Sequence, residues 1–167
     1  DVTTIARELL GKILMTKFNG IVTSGRIVET EAYAGTGDKA SHAYGNRRTA
    51  RTEVMFGNPG TAYVYLCYGI HHLFNVVTNR RDIPHAVLVR AIEPMNGLET
   101  ILHRMKKPVL DDSVGRGPGN VSKALGINII YTGMPLSGTI AIWQDDWTPG
   151  EIAVDKRIGI DYAGEDA

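Results

Sequence analysis

Hydrophobic residues alternate with polar ones over most of this chain, and only three short stretches carry them at helical spacing. Ile5, Leu9, Leu10 and Ile13 fall on one face of a first helix, with Thr3 or Thr4 as its cap. Lys12–Phe18 and Ile21–Tyr33 read as strands joined at Asn19-Gly20, a pair suited to the positive-φ turn of a tight hairpin. Gly35–Arg51 is a polar loop rich in Gly and Arg, too long to be a mere connector. Further strands are predicted at Thr61–Cys67, Leu73–Thr78 and Ala86–Ile92. Gly97–Met105 repeats the helical period through Leu98, Ile101, Leu102 and Met105, and Gly117-Pro118-Gly119-Asn120 opens a helix that reaches Leu125. Short strands near Ile140–Trp143 and Arg157–Ile160 complete the pattern. Strands joined by hairpins, with few helices, imply one α+β domain on a mostly antiparallel sheet.

Composition narrows this picture without changing it. The 167 residues suit a single domain over 1–167, and 43% hydrophobic against 22% charged residues is ordinary for a folded globular chain. The single cysteine, Cys67, excludes an internal disulfide and reads as a small core residue. No apolar run is long enough to span a membrane, so no membrane partner is expected. Net charge is zero but unevenly spread: residues 1–81 hold ten Lys/Arg against six Asp/Glu, and residues 82–167 hold eight against twelve. Arg47, Arg48, Arg51, Arg80 and Arg81 lie in the positive half, so a local basic surface for phosphates is available.

Two segments carry candidate chemistry. In Arg26–Gly35, Glu29 and Glu31 stand two apart, so a strand sends both to one face with Ile27 and Tyr33. Paired carboxylates can divide acid and base work, and a solvated strand face reads the same way. No G-x-S-x-G elbow, no cysteine pair and no H-E-x-x-H occurs, which leaves Asp/Glu as the best general base and supports no metal site. The neighbours His71 and His72 point to opposite faces of a strand. In Ala62–Ile70 the alternation sends tyrosines to both faces, and Tyr68 falls in the turn, where an aromatic has little core to fill. A turn-borne Tyr followed by Ile can slide between base pairs. Arg116–Asn120 resembles a glycine-rich turn whose free N–H groups could hold a phosphate oxygen, though it lacks the Gly-Lys-Ser/Thr ending of a nucleotide loop. Met55-Phe56, Trp143 and Trp147 read as core or rim packing.

Taken together, four blocks resemble the alkyladenine DNA glycosylase family, the mammalian-type 3-methyladenine DNA glycosylases also found in bacteria. They are Arg26–Gly35 (RIVETEAYAG), Pro59–Gly69 (PGTAYVYLCYG), Val87–Pro94 (VLVRAIEP) and Gly117–Leu125 (GPGNVSKAL), and the likeness runs from Ile5 to Ile160. The resemblance implies a compact domain with a curved antiparallel sheet, flanking helices and a protruding hairpin that inserts into DNA. It implies that Glu31 activates water and that Arg90 helps hold the phosphate and that water. Tyr33, His42 and Tyr65 would enclose the flipped base, and Asn75 would crowd the amino group of guanine. Tyr68 would wedge into the duplex, while Arg47, Arg51, Gly119 and Lys123 would meet the DNA backbone.

The implied reaction is hydrolysis of the N-glycosidic bond of a damaged purine (3-methyladenine, 7-methylguanine, hypoxanthine or ethenoadenine) in double-stranded DNA. It needs no cofactor or metal and leaves an abasic site without strand cleavage. A monomer suffices, in a bacterial cytoplasm or nucleoid, or in the nucleus if the source is eukaryotic. Several positions depart from the family pattern. His71 and His72 follow the wedge where mammalian relatives are more aromatic, the Arg80–His85 turn is longer, and Asn120 replaces a lysine of some relatives. The family also continues with a further strand beyond Ala163-Gly164-Glu165, which this sequence lacks. The alternative is a damaged-DNA binding module without catalysis, which would keep Tyr65, Tyr68 and the arginines but need no Glu31 beside Arg90. A helix-hairpin-helix glycosylase conflicts with the dominance of strands, and a metal-dependent hydrolase would lose activity in chelator.

Overall fold

The alternation at Ile21–Tyr33 becomes the longest strand of a six-stranded, wholly antiparallel sheet in the computed structural model, which describes residues 1–167. The strands are β1 (Ile13–Phe18), β2 (Ile21–Tyr33), β3 (Thr61–Cys67), β4 (His71–Val77), β5 (Ala86–Pro94) and β6 (Ile140–Trp143). Their spatial order is β3-β4-β5-β2-β1-β6. The helices are α1 (Val2–Leu9), α2 (Leu98–Met105) and α3 (Pro118–Leu125). The α+β class follows as expected.

Local chemistry explains most boundaries. Asn19 (φ 51°) and Gly20 (φ 77°) both take the left-handed conformation that a two-residue hairpin demands, and Phe18 pairs with Ile21. Asp1, rather than Thr3 or Thr4, caps α1: its carboxylate accepts from the Thr3 N–H at 3.4 Å. Gly97 lies outside α2 as its left-handed cap, where a Cβ would collide with the Val22 carbonyl. The polar loop after β2 is not formless; one-turn 3₁₀ segments occupy Gly35–Gly37, Tyr44–Asn46 and Glu53–Phe56.

The two faces of the sheet do different work. Ala62, Val64, Phe74, Val76, Val87 and Val89 point to one face and pack against Val2, Ala6 and Leu9 of α1 and Val121 and Leu125 of α3. Burial of this apolar layer is the main driving force for the fold. The intervening residues, one position out of phase, point to the opposite face. There Tyr63, Val77 and Ala86 pack with Ala43, Met55 and Phe56 from the loop after β2, which roofs that half of the sheet. Met55 and Phe56 are thus core residues.

Two expectations need correction. Arg157–Ile160 is not a strand: Gly159 is left-handed (φ 74°), and the Ile158 N–H is committed to a side chain rather than to a ladder. Cys67 is half-buried at a cavity wall, not a core residue, because its strand is near the hairpin turn by that point. Of the core and rim readings, Trp143 and Trp147 take the rim one, and Trp147 lies 4.6 Å from the Arg26 guanidinium.

Candidate active site

A single row of residues crosses four strands on the roofed face. Tyr63 on β3 is opposite Asn75 on β4, Asn75 is opposite Leu88 on β5, and Leu88 is opposite Glu31 on β2. A cavity of about 450 Å³ opens above this row, a size typical of small-molecule sites. Glu31, Tyr33, His42, Tyr65, Asn75 and Arg90 line it together, with Arg51 and Tyr68. Strand register thus gathers Glu31, Tyr33, Tyr65, Asn75 and Arg90, while the loop after β2 contributes His42 and Arg51.

The carboxylate of Glu31 is 6% exposed and fixed from several sides. Its Oε2 accepts from the Tyr33 hydroxyl at 2.8 Å, and its Oε1 accepts from the Ile158 N–H at 2.8 Å. Arg90 reaches both glutamates, with Nε 3.2 Å from Glu29 Oε1 and Nη1 3.4 Å from Glu31 Oε1. The strand face therefore does collect both carboxylates. The ladder between β2 and β5 is irregular on either side of Glu29, as happens where a strand is re-aimed near a functional site. Burial, and then the Glu31 charge, push the Tyr33 phenol above its ordinary range, so it remains a donor.

The aromatic walls are equally constrained. His42 stands edge-on to Tyr65, with ring centroids 4.6 Å apart, and its Nδ1 lies 2.9 Å from the Tyr63 hydroxyl. Arg51 sits over the Tyr65 ring at 4.9 Å and directs Nη2 at His42 Nε2, 3.3 Å away. A guanidinium only donates, so Nε2 accepts and Nδ1 carries the proton toward Tyr63. Burial, then the charges of Arg51 and Arg47, lower the His42 pKa to about 4, so the ring is neutral near pH 7. The Asn75 amide nitrogen donates to the carbonyls of Tyr63 (3.2 Å) and Leu73 (3.3 Å), which locks the side chain in the wall.

The remaining candidates divide. Tyr68 is 92% exposed at the tip of the β3–β4 hairpin with φ 50°, a conformation that costs a bulky residue about 1–2 kcal/mol. No intramolecular packing offsets that cost. Arg47 and Lys123 are exposed and make no ion pair, whereas Arg48 is engaged by Glu53 and Asp82 at 2.8 and 2.9 Å. Gly119 and Lys123 do not line the cavity; they belong to α3, where Gly119 packs on the His71 ring. His72 faces the other way, its Nδ1 accepting from the Ile129 N–H at 3.1 Å. Asn120 spends its amide on the Ser113 and Arg116 carbonyls, bracing the preceding turn.

A larger cavity of about 930 Å³ lies between α1, β2 and the segment Trp147–Ile158. It shares Glu31 with the smaller one but lacks Arg90, His42, Asn75 and the facing tyrosines, so the convergent chemistry belongs to the smaller.

With this geometry established, the family can be tested directly: the family model described as Methylpurine-DNA glycosylase (MPG) matches residues 1–167. The chain belongs to the methylpurine-DNA glycosylase family. It is 47% identical over 169 residues to a Chlamydia pneumoniae protein, covering 99% of this chain and 85% of that one. It is 44% identical over 173 residues to a Clostridium acetobutylicum protein (99% and 84%) and 41% identical over 176 residues to one from Clostridium perfringens strain 13 (99% and 86%). All three bear the name "Putative 3-methyladenine DNA glycosylase". Members of the methylpurine-DNA glycosylase family are hydrolases of N-glycosyl bonds in DNA, and this chain is one of them.

Sequence reasoning missed four residues in and around this cavity: Tyr63 as the partner of His42, Arg51 as a roof over Tyr65, and the pair of Asp38 and Arg157. Asp38 is 6% exposed, and Arg157 donates to it at 2.6 and 3.0 Å. Burial raises the Asp38 pKa, but the hydrogen bonds from Arg157, Ala34 and Ala40 outweigh it and hold the group below its ordinary value. The alternating tyrosines could have flagged Tyr63; nothing in the linear pattern joins Asp38 to Arg157.

Proposed function

We propose that this glycosylase draws a damaged purine out of duplex DNA into the 450 Å³ cavity and hydrolyses its bond to deoxyribose with water activated by Glu31. The observation that carries this reading is the convergence of a buried carboxylate, an arginine and an aromatic cage on one cavity beside an exposed hairpin tip. Tyr68 wedges into the duplex and fills the gap left by the purine, which offsets unstacking. The purine stacks among Tyr33, Tyr65 and His42. A neutral His42 does not repel a cationic base such as 3-methyladenine, and tyrosine faces attract one. Asn75, held rigid by two carbonyls, opposes the exocyclic amino group of guanine and so selects against normal guanine.

Water held between Glu31 and Arg90 gives its proton to the carboxylate as its oxygen bonds to C1′. The electron pair of the C1′–N9 bond leaves with the purine. Alkylated purines already carry the positive charge that makes them good leaving groups; hypoxanthine and ethenoadenine need protonation as well. No lysine lines the cavity to form a Schiff base, so the product is an intact strand with an abasic site. Arg47, Arg51 and the α3 positions Gly119 and Lys123 supply backbone contacts around the extruded nucleotide. The site is complete within one chain, so one monomer serves one duplex.

The test is release of free base from duplexes carrying 3-methyladenine or hypoxanthine, in EDTA, with strand scission scored before and after alkali. Base release in chelator with alkali-dependent scission supports the proposal. Scission without alkali, or binding without release, would replace it with a lyase or a binding module.

A further inference from the structure

We propose that Asp38 and Arg157 form a positioning clamp that sets the Glu31 carboxylate and the Tyr33 ring without touching the purine, an inference that rests on the glycosylase reading above. Arg157 forks onto Asp38 (Nη1–Oδ2 2.6 Å, Nη2–Oδ1 3.0 Å) and donates from Nη1 to the Ala32 carbonyl at 2.8 Å. It also donates to the Asp166 carbonyl. Its guanidinium covers the Tyr33 ring at 4.8 Å. Neither Asp38 nor Arg157 lines the cavity that Tyr33 lines, so the arginine covers the ring from outside.

The two shortest contacts to Glu31 both depend on this pair. One donor is the hydroxyl of Tyr33, the ring that Arg157 covers, and the other is the backbone N–H of Ile158, the residue that follows Arg157. Asp38 fixes its own loop through the Ala34 N–H (3.0 Å) and the Ala40 N–H (2.9 Å), and its carbonyl accepts from the Ser41 N–H at 2.9 Å. That loop delivers His42 to the opposite wall. A planar, two-pronged guanidinium meets Asp38, Ala32 and the ring at once; an ammonium group cannot. Catalysis depends on sub-ångström placement of the base, so loosening the clamp should slow chemistry more than it weakens binding.

The experiment compares Arg157→Lys and Asp38→Asn with the wild type, alone and in the Glu31→Gln background. Single-turnover excision is measured at saturating enzyme, together with Kd for a lesion duplex and thermal unfolding. The clamp predicts a loss in rate on the order of 10- to 100-fold with Kd within about threefold, and little further loss once Glu31 is Gln. Arg157→Lys, which keeps the charge and much of the stem, is the milder variant if Asp38→Asn unfolds. An unchanged rate in a folded variant, or a loss that multiplies fully with that of Glu31→Gln, would overturn the clamp while leaving the glycosylase reading intact. Failure of the wild-type chain to release any purine would overturn both.

Discussion

Neutralising His42 as a titratable group should flatten the acid side of the stability curve. In the folded chain this ring takes up a proton only near pH 4, because burial and the charges of Arg51 and Arg47 oppose it. In the unfolded chain it does so near the ordinary value of about 6.5. Between those values the unfolded state binds the extra proton, so stability falls as pH drops from about 6.5 toward 4. Integrating that difference from pH 7 to pH 5 gives a loss of about 2 kcal/mol from this one side chain. The assay is urea denaturation of the wild type and of His42→Gln at intervals between pH 7 and pH 5. His42→Gln loses the Tyr63 contact and starts less stable, but it should lose about 2 kcal/mol less than the wild type over that interval. Because other titrating groups are common to both chains, their difference isolates His42. Parallel curves would refute the neutral-ring assignment, and with it the argument that His42 does not repel a cationic purine.

Other consequences are equally concrete. Tyr68→Asn relieves a left-handed conformation and should hold or raise stability by up to about 1 kcal/mol, while lowering single-turnover excision from duplex DNA; equal activity would remove Tyr68 from the mechanism. Arg47→Ala and Lys123→Ala should each reduce the slope of log K against log salt by about 0.9 if each meets one phosphate, and an unchanged slope would exclude that contact. Gly115→Ala places a Cβ against the Ile92 carbonyl and should destabilise the fold by about 3 kcal/mol or more in thermal unfolding; a near-neutral result would contradict the packing of this turn on β5.

The two faces of the sheet were legible in different degrees. The apolar alternation of Val64, Phe74, Val76, Val87 and Val89 announced strands directly, because one face packs against α1 and α3. Asn19-Gly20 gave away its hairpin through backbone chemistry alone. The site was harder. That Glu29 and Glu31 share a face follows from period two, but that Arg90 bridges them depends on the register and irregularities of β2 against β5. The roles of Glu31, Arg90 and the aromatic wall came from family likeness rather than from the pattern. Arg157-Ile158-Gly159-Ile160 misled because Arg followed by spaced isoleucines looks like a strand. Its real conformation is set by tertiary partners, Asp38 and Glu31, more than a hundred positions away.

The central claim is that Glu31 is the base that activates water, and Glu31→Gln tests it most directly. Glutamine keeps the size of the side chain; its carbonyl can still accept from the Ile158 N–H while its amide NH2 donates to the Tyr33 hydroxyl oxygen, so the cavity stays shaped for a purine. Single-turnover release of hypoxanthine and 3-methyladenine should fall by roughly 10²- to 10⁴-fold, with the affinity for lesion-bearing duplex within about threefold of the wild type. Release at the wild-type rate would contradict the account.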